Sequence, residues 1–205
     1  MSPRPRKASD DDVTAAAMRV MQRVGPGELT LAAIAHEAGV TAAALVQRFG
    51  SRRALLVWLA EANAASAPDL GRIYRSRHAT AIVALFEFAI CFADMAPSPD
   101  ALARSLAYLH NDLTDSVLRK HLVRQARGTR TSLVQLVKEA RDAGELVPHT
   151  NVRALAQLRE AVMGGSLMAW ATHREGNARA RLRGDMRTVL APYLTAKGRR
   201  RLGGR

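Results

Sequence analysis

Thr41, Gln47 and Arg48 fall within the short stretch TAAALVQR, and Arg52 follows just beyond Gly50. A hydroxyl, an amide and two guanidinium groups in so short a run are hydrogen-bonding chemistry, suited to phosphate oxygens and to the edges of bases. Bond-making chemistry has no comparable cluster. His36, His78, His110, His121, His149 and His173 are dispersed, and none sits in a zinc-type pair, a nucleophile elbow or a phosphate loop. His36-Glu37 lacks the second histidine of the metalloprotease motif. No catalytic residue, metal ligand or cofactor is therefore expected, and an all-α enzyme that assembles its site from distant residues is kept as the lesser alternative.

The surrounding composition supports an anionic partner. The 205 residues carry 31 Lys and Arg against 18 Asp and Glu, a formal net charge of +13, which makes nucleic acid the first candidate. Part of that excess lies at the ends, in Arg4, Arg6 and Lys7 and in Lys197, Arg199, Arg200, Arg201 and Arg205. The front group reads either as an arm for a minor groove or as a segment without function. The rear group reads as a basic tail that is either solvated or in contact with DNA. The single cysteine, Cys91, lies between Ile90 and Phe92 and reads as a buried structural thiol in a reduced compartment. The apolar run from Ala81 to Met95 is interrupted by Glu87 and Asp94 and is too short to span a bilayer. With no secretory signal visible at the start, a cytoplasmic protein is expected.

Helical spacing of apolar residues runs through almost the whole chain, so the fold class is all-α. Val13, Ala17, Val20, Met21 and Val24 make a first stripe, entered from Asp10, Asp11 and Asp12 and left through Gly25-Pro26-Gly27. Thr30 caps a short second helix that Gly39 ends. Thr41 then caps a third, which stops at Gly50, and Ser51 opens a longer fourth. Ile34, Val40, Leu45 and Phe49 face inward by their spacing. Further helices are expected over Ala79 to Met95, Asp100 to about Asn111, Asp115 to Ala143, Val152 to about His173 and Gly184 to Leu194.

Two short helices joined by a glycine-containing turn are the signature of a helix-turn-helix, whose second helix lies in the DNA major groove. On that helix Ala42 and Ala43 are placed for close apolar contact, with thymine methyls as candidate partners, and Gln47 and Arg48 for base edges or phosphates. For Arg48, a guanine, the backbone and plain solvent exposure all remain open. Thr41 can offer a phosphate both its hydroxyl and the positive end of the helix.

The same residues resemble the N-terminal domain of the tetracycline-repressor-like (TetR) family of bacterial transcription regulators. The matching pattern is Thr30, Ile34-Ala35, Ala38-Gly39-Val40-Thr41, Leu45-Val46, Phe49, and Arg52 ahead of Leu55-Leu56. The resemblance implies DNA contact by Thr30, Thr41 and Arg52. Val46 departs from it, standing where the family usually has a tyrosine that touches a phosphate.

What the resemblance implies for the whole chain is an N-terminal three-helix helix-turn-helix domain over 1–55, a larger helical bundle for effector binding and dimerisation over 56–196, and a basic tail over 197–205. The expected partners are a double-stranded palindromic operator, a second copy of the chain and a small-molecule effector, with no membrane. The last two long helices would form the homodimer through Leu155, Leu158, Val162, Gly165, Ser166 and Ala169 and through Met186, Val189, Leu190 and Tyr193, unless those stripes only close the monomer core. Phe88, Phe92, Met95, Tyr108, Asn111, Met163 and Trp170 are candidates to line the effector pocket, against ordinary core packing for each. A repressor released by its effector is the expected function. A DNA-binding architectural protein without an effector is the alternative.

Overall fold

A computed structural model describes residues 8–203, so Arg4, Arg6, Lys7 and Arg205 lie outside the described residues. Eleven α-helices and three short 3-10 turns account for the regular structure among them, with one isolated antiparallel bridge between Leu146 and Leu194 in place of any sheet. The fold is all-α with a helix-turn-helix near its start. The chain divides into two compact units, the first made of residues 8–63 with Asp100–Leu122, the second of Ala64–Pro99 with residues from Val123 onward.

In the first unit every short helix begins on a side-chain cap. Helix α1 (Asp10–Arg23) starts in a reciprocal capping box, the Ser9 hydroxyl accepting from the Asp12 amide and the Asp12 carboxylate from the Ser9 amide, both at 3.1 Å. Helix α2 (Leu31–Ala38) is capped by Thr30, which accepts from the Ala33 amide at 3.1 Å. Helix α3 (Ala42–Phe49) is capped by Thr41, which accepts from the Ala44 amide at 3.2 Å. Helix α4 (Arg52–Ser66) begins with Ser51 accepting from the Ala54 amide at 3.1 Å. Each such cap stabilises a helix by about 1 kcal/mol, which matters for helices too short to persist alone.

The breaks between them are equally local. Gly39 ends α2 at φ 69° and Gly50 ends α3 at φ 73°, backbone conformations that cost a residue with a Cβ of order 1 kcal/mol or more. Val13, Ala16, Ala17, Val20, Ile34, Leu45, Leu55 and Leu59 then close a shared core. Val40 and Phe49, expected inside, pack against it half-buried.

Helix α7 (Pro99–Thr114) completes this core from far along the sequence. Its Tyr108 is buried, and the hydroxyl donates to the Val24 carbonyl at 3.2 Å, while Arg104 Nε donates to the Gln22 carbonyl at 2.7 Å. Two carbonyls that α1 leaves open at its C-terminal end are thereby satisfied.

In the second unit, helix α5 (Leu70–Arg77) follows a 3-10 turn over Ala67–Asp69. The sequence gives it little apolar periodicity, and no helix was expected there. Helix α6 (Ala81–Ile90) is almost wholly buried and tightens into a 3-10 turn over Cys91–Met95, so the helix expected to reach Met95 stops earlier. Its first turn is capped from a distance, since buried Glu145 accepts the Ile82 amide at 3.0 Å. Helix α8 (Ser116–Asp142) is packed tightly against the start of α5: a Cβ on Gly71 would lie 2.9 Å from the Ser132 carbonyl oxygen, and one on Gly128 would lie 2.9 Å from Pro68.

Helix α9 (Val152–His173) matches its expected span, but α10 (Ala178–Leu190) starts earlier than its apolar stripe suggested. Asn177 is its N-cap and accepts from the Ala180 amide at 2.8 Å. The segment expected to be a basic tail is helical as α11 (Ala196–Gly203). Thr195 accepts from the Gly198 amide at 3.1 Å to start it, and Lys197 donates to the Ala143 carbonyl at 2.7 Å, supporting the end of α8. Among the described residues no single helix is long and apolar enough to cross a membrane.

Candidate nucleic-acid interface and ligand site

The caps fix what α3 displays. With Leu45 turned into the core, Thr41, Ala42, Ala43, Val46 and Gln47 are exposed together on its outer face, and Thr30 is exposed at the start of α2. Val46 is 49% exposed, so the position that departs from the family pattern presents two methyl groups to the outside.

The two arginines expected to touch DNA have partners inside the unit. Arg48 pairs with Asp10, donates to the Ala8 carbonyl at 3.1 Å, and lies over the Phe49 and Trp58 rings with its central carbon 4.9 and 5.6 Å from their centroids. Arg52 donates to the Pro26 carbonyl at 2.8 Å and to the Leu29 carbonyl at 3.4 Å, fastening the first turn of α4 to the loop between α1 and α2. That loop was the signal available in the sequence: Gly25-Pro26-Gly27 supplies carbonyls with no helical partner, which a nearby guanidinium can satisfy.

Between α1 and α2, Glu37 accepts from both Arg19 and Arg23. These hydrogen bonds, that from Arg19 foremost, hold its carboxyl below the usual glutamate range. Arg53 pairs with Asp115 at 2.9 Å, and Asp115 also caps α8 by accepting from the Val117 and Leu118 amides. The hydrogen bond from Leu118 is the main reason its carboxyl is held low.

The residues expected to line one ligand pocket are divided between the two units. Tyr108 is core of the first unit, its hydroxyl engaged and pushed up to about 12 by burial, and Asn111 lies half-buried on the same helix. In the second unit Phe88 and Phe92 come together with centroids 6.1 Å apart. Met163 is half-buried on α9, Trp170 is buried with its indole N–H donating to the Gly176 carbonyl at 3.4 Å, and Met95 is 44% exposed.

What sequence reading missed is the residue that lies against both phenylalanines. Arg159 on α9 is 1% exposed, with its central carbon 5.0 Å from the Phe88 centroid and 5.2 Å from that of Phe92. Its Nη2 donates to the Phe88 carbonyl at 2.7 Å, an oxygen that also accepts from Cys91 Sγ at 3.2 Å. Burial lowers the guanidinium to about 10, which leaves it charged at neutral pH. The clue was there in the spacing, because Arg159 interrupts the buried face Leu155, Ala156, Ser166 and Trp170. Cys91 itself is only partly buried, and burial pushes its thiol up. No group of three potential metal ligands is present among the described residues.

Comparison with known proteins places this geometry. The family model described as bacterial regulatory proteins of the tetR family matches residues 13–58, and that described as the tetracyclin repressor-like C-terminal domain matches residues 110–186. No curated protein matches the sequence. Among solved structures, the chain is similar to the TetR transcriptional regulator SCO0520 from Streptomyces coelicolor, at 22% identity and TM-score 0.69, covering 92% of this chain and 99% of that one. SmeT, the repressor of the Stenotrophomonas maltophilia multidrug efflux pump SmeDEF, is similar at 18% identity and TM-score 0.62, over 93% and 92% of the two chains. The reduced form of NemR from E. coli is similar at 17% identity and TM-score 0.66, over 87% and 96%. The first family model covers the capped helices α2 and α3 with their glycine stops, the second most of the long helices, and the chain belongs to the TetR family of ligand-responsive, DNA-binding bacterial regulators.

Proposed function

We propose that the chain is a homodimeric repressor that holds a palindromic operator through α3 and releases it when a small molecule binds the second unit. The observation that carries the reading is the exposed face of α3, small at Ala42 and Ala43 and polar at Thr41 and Gln47, on a helix fixed at both ends by a cap and a glycine of positive φ. Small side chains let the helix approach the base edges, and Gln47 can pair with adenine while Thr41 and Thr30 hold phosphates. Val46 replaces a phosphate hydrogen bond with apolar contact. Arg48 and Arg52, held by their own unit, act by positioning α3 and α4.

One helix of this length reads too few base pairs for strong specificity, so a second copy is needed. The face of α9 and α10 that supports dimerisation carries exposed Leu158, half-buried Val162 and Val189, and Gly165 beside a shallow groove of about 320 Å³ that Thr188 also lines. Met186 and Leu190, expected in the same interface, are fully buried within the protomer and serve its core. The effector acts through α4, which contains residues of both units, by favouring the arrangement of α3 that does not fit the operator. Such a protein works in the cytoplasm and needs no cofactor.

Fluorescence anisotropy against genomic duplexes at physiological salt tests the reading. The best duplex is expected to bind at least about a thousandfold more tightly than its own scrambled sequence. Equal binding of both, lost together as salt rises, would favour the architectural alternative.

A further inference from the structure

The buried side-chain polar atoms that lack a hydrogen-bond partner among the described residues are His78 Nδ1, Thr80 Oγ1, and Nε and Nη1 of Arg159. Such atoms are rare in folded proteins, and each costs free energy unless something pairs with it. A row of rings joins His78 to Arg159. Tyr74 stacks on His78 with centroids 6.3 Å apart and on Phe88 with centroids 4.9 Å apart, and Arg159 lies over Phe88 and Phe92.

Among the described residues the guanidinium in this row forms no ion pair, and Glu160, whose charge acts on it, is itself paired. Arginine cannot shed its proton at physiological pH, so burial leaves a cation whose desolvation only an anion can offset well. The nearest carboxylates in sequence are committed elsewhere. Glu160 pairs with Arg130 at 2.8 Å, Glu87 with Arg183 at 2.9 Å, and Asp94 with Arg179 at 2.7 Å. A cation lying against two neighbouring aromatic rings, with free N–H groups and with the nearby Glu160 already paired to Arg130, is suited to a carboxylate on an apolar body.

We propose that the effector is such a molecule, an apolar carboxylate whose head pairs with the free N–H groups of Arg159 and whose body lies along Phe92, Phe88 and Tyr74. This rests on the reading of the protein as an effector-released repressor. His78 provides a second polar point at the far end of the row, favouring ligands that carry a hydroxyl or carbonyl away from the carboxylate. The arginine is thus retained for recognition, at some expense in stability.

The test uses the full-length protein, with 2-naphthoate and decanoate as probes and their primary amides as neutral counterparts. Calorimetric titration is expected to show each carboxylate binding at least tenfold more tightly than its amide, and R159M is expected to lose that preference. R159M should also melt at or above the temperature of the parent protein, since an apolar side chain of similar length removes a buried unpaired charge; a purely structural arginine would lower it. The comparison of carboxylate with amide in the parent protein stands without any variant. Equal binding of amide and carboxylate, or no binding of either carboxylate at millimolar concentration, would overturn the assignment. Operator binding measured alongside separates the two ideas: naphthoate that binds through Arg159 without releasing DNA contradicts the repressor reading alone, whereas amides that release DNA from both parent and R159M contradict the anion site alone.

Discussion

Arg48 joins three elements at once, pairing with Asp10 at the start of α1 while its guanidinium lies 5.6 Å from the centroid of the Trp58 ring on α4. A side chain in that position sets the angle of α3 without having to touch DNA. R48A is expected to destabilise the first unit by about 1–2 kcal/mol through the lost cation–π and hydrogen-bond contacts. It should weaken all DNA sequences by a similar factor, and R48A retaining full stability but changing the preferred base would show that Arg48 reads sequence directly. Chemical denaturation and binding to a panel of single-base operator variants measure the two effects.

On the proposed reading Thr41 meets a phosphate and Gln47 a base, so substitutions at the two separate the contacts. Q47A should leave stability unchanged and relax discrimination at one operator position by about 1–3 kcal/mol. T41A should instead weaken every sequence and also cost about 1 kcal/mol of stability, because the hydroxyl caps α3 as well. T41S, which keeps the cap, should recover most of both losses.

Helix α9 offers the dimer test. L158E together with V162E puts two charges on a face that is open in the protomer, so helix content and core packing should survive. Sedimentation velocity is expected to show a monomer, with operator affinity reduced by at least about a hundredfold as the two half-sites lose their linkage. A dimer that persists with unchanged affinity would move the interface elsewhere.

Glu37 gives the first unit a pH dependence of known sign. Its carboxyl is held below the ordinary value by Arg19 and Arg23, so its contribution is present above the glutamate range and is lost as pH falls through the depressed value. The parent should therefore exceed E37Q in melting temperature at pH 7, with the gap closing below about pH 4 and shrinking in high salt. A gap independent of pH would mean that the pairing contributes nothing.

The local parts of this fold were legible because their causes are local. Thr30, Gly39, Thr41 and Gly50 act on residues within a turn of themselves, and the helices they bound fall where caps and glycines place them. Helices α5 and α11 were not legible, since polar sequences such as LGRIYRSR and AKGRRRLG become helical through partners elsewhere in the chain, Ser132 beside Gly71 and Ala143 beneath Lys197. The candidate sites divide along the same line. The face of α3 follows from helical spacing, whereas the engagement of Arg52 with Pro26 and the meeting of Arg159 with Phe88 join residues far apart in sequence.

The most direct test of the whole account is selection of bound sequences from a random duplex pool at physiological salt. The account predicts an enriched inverted repeat whose half-sites lie about 34–36 Å apart or a multiple of that, bound by two protomers. Recovery of no preferred sequence, with binding that disappears as salt rises, would contradict it.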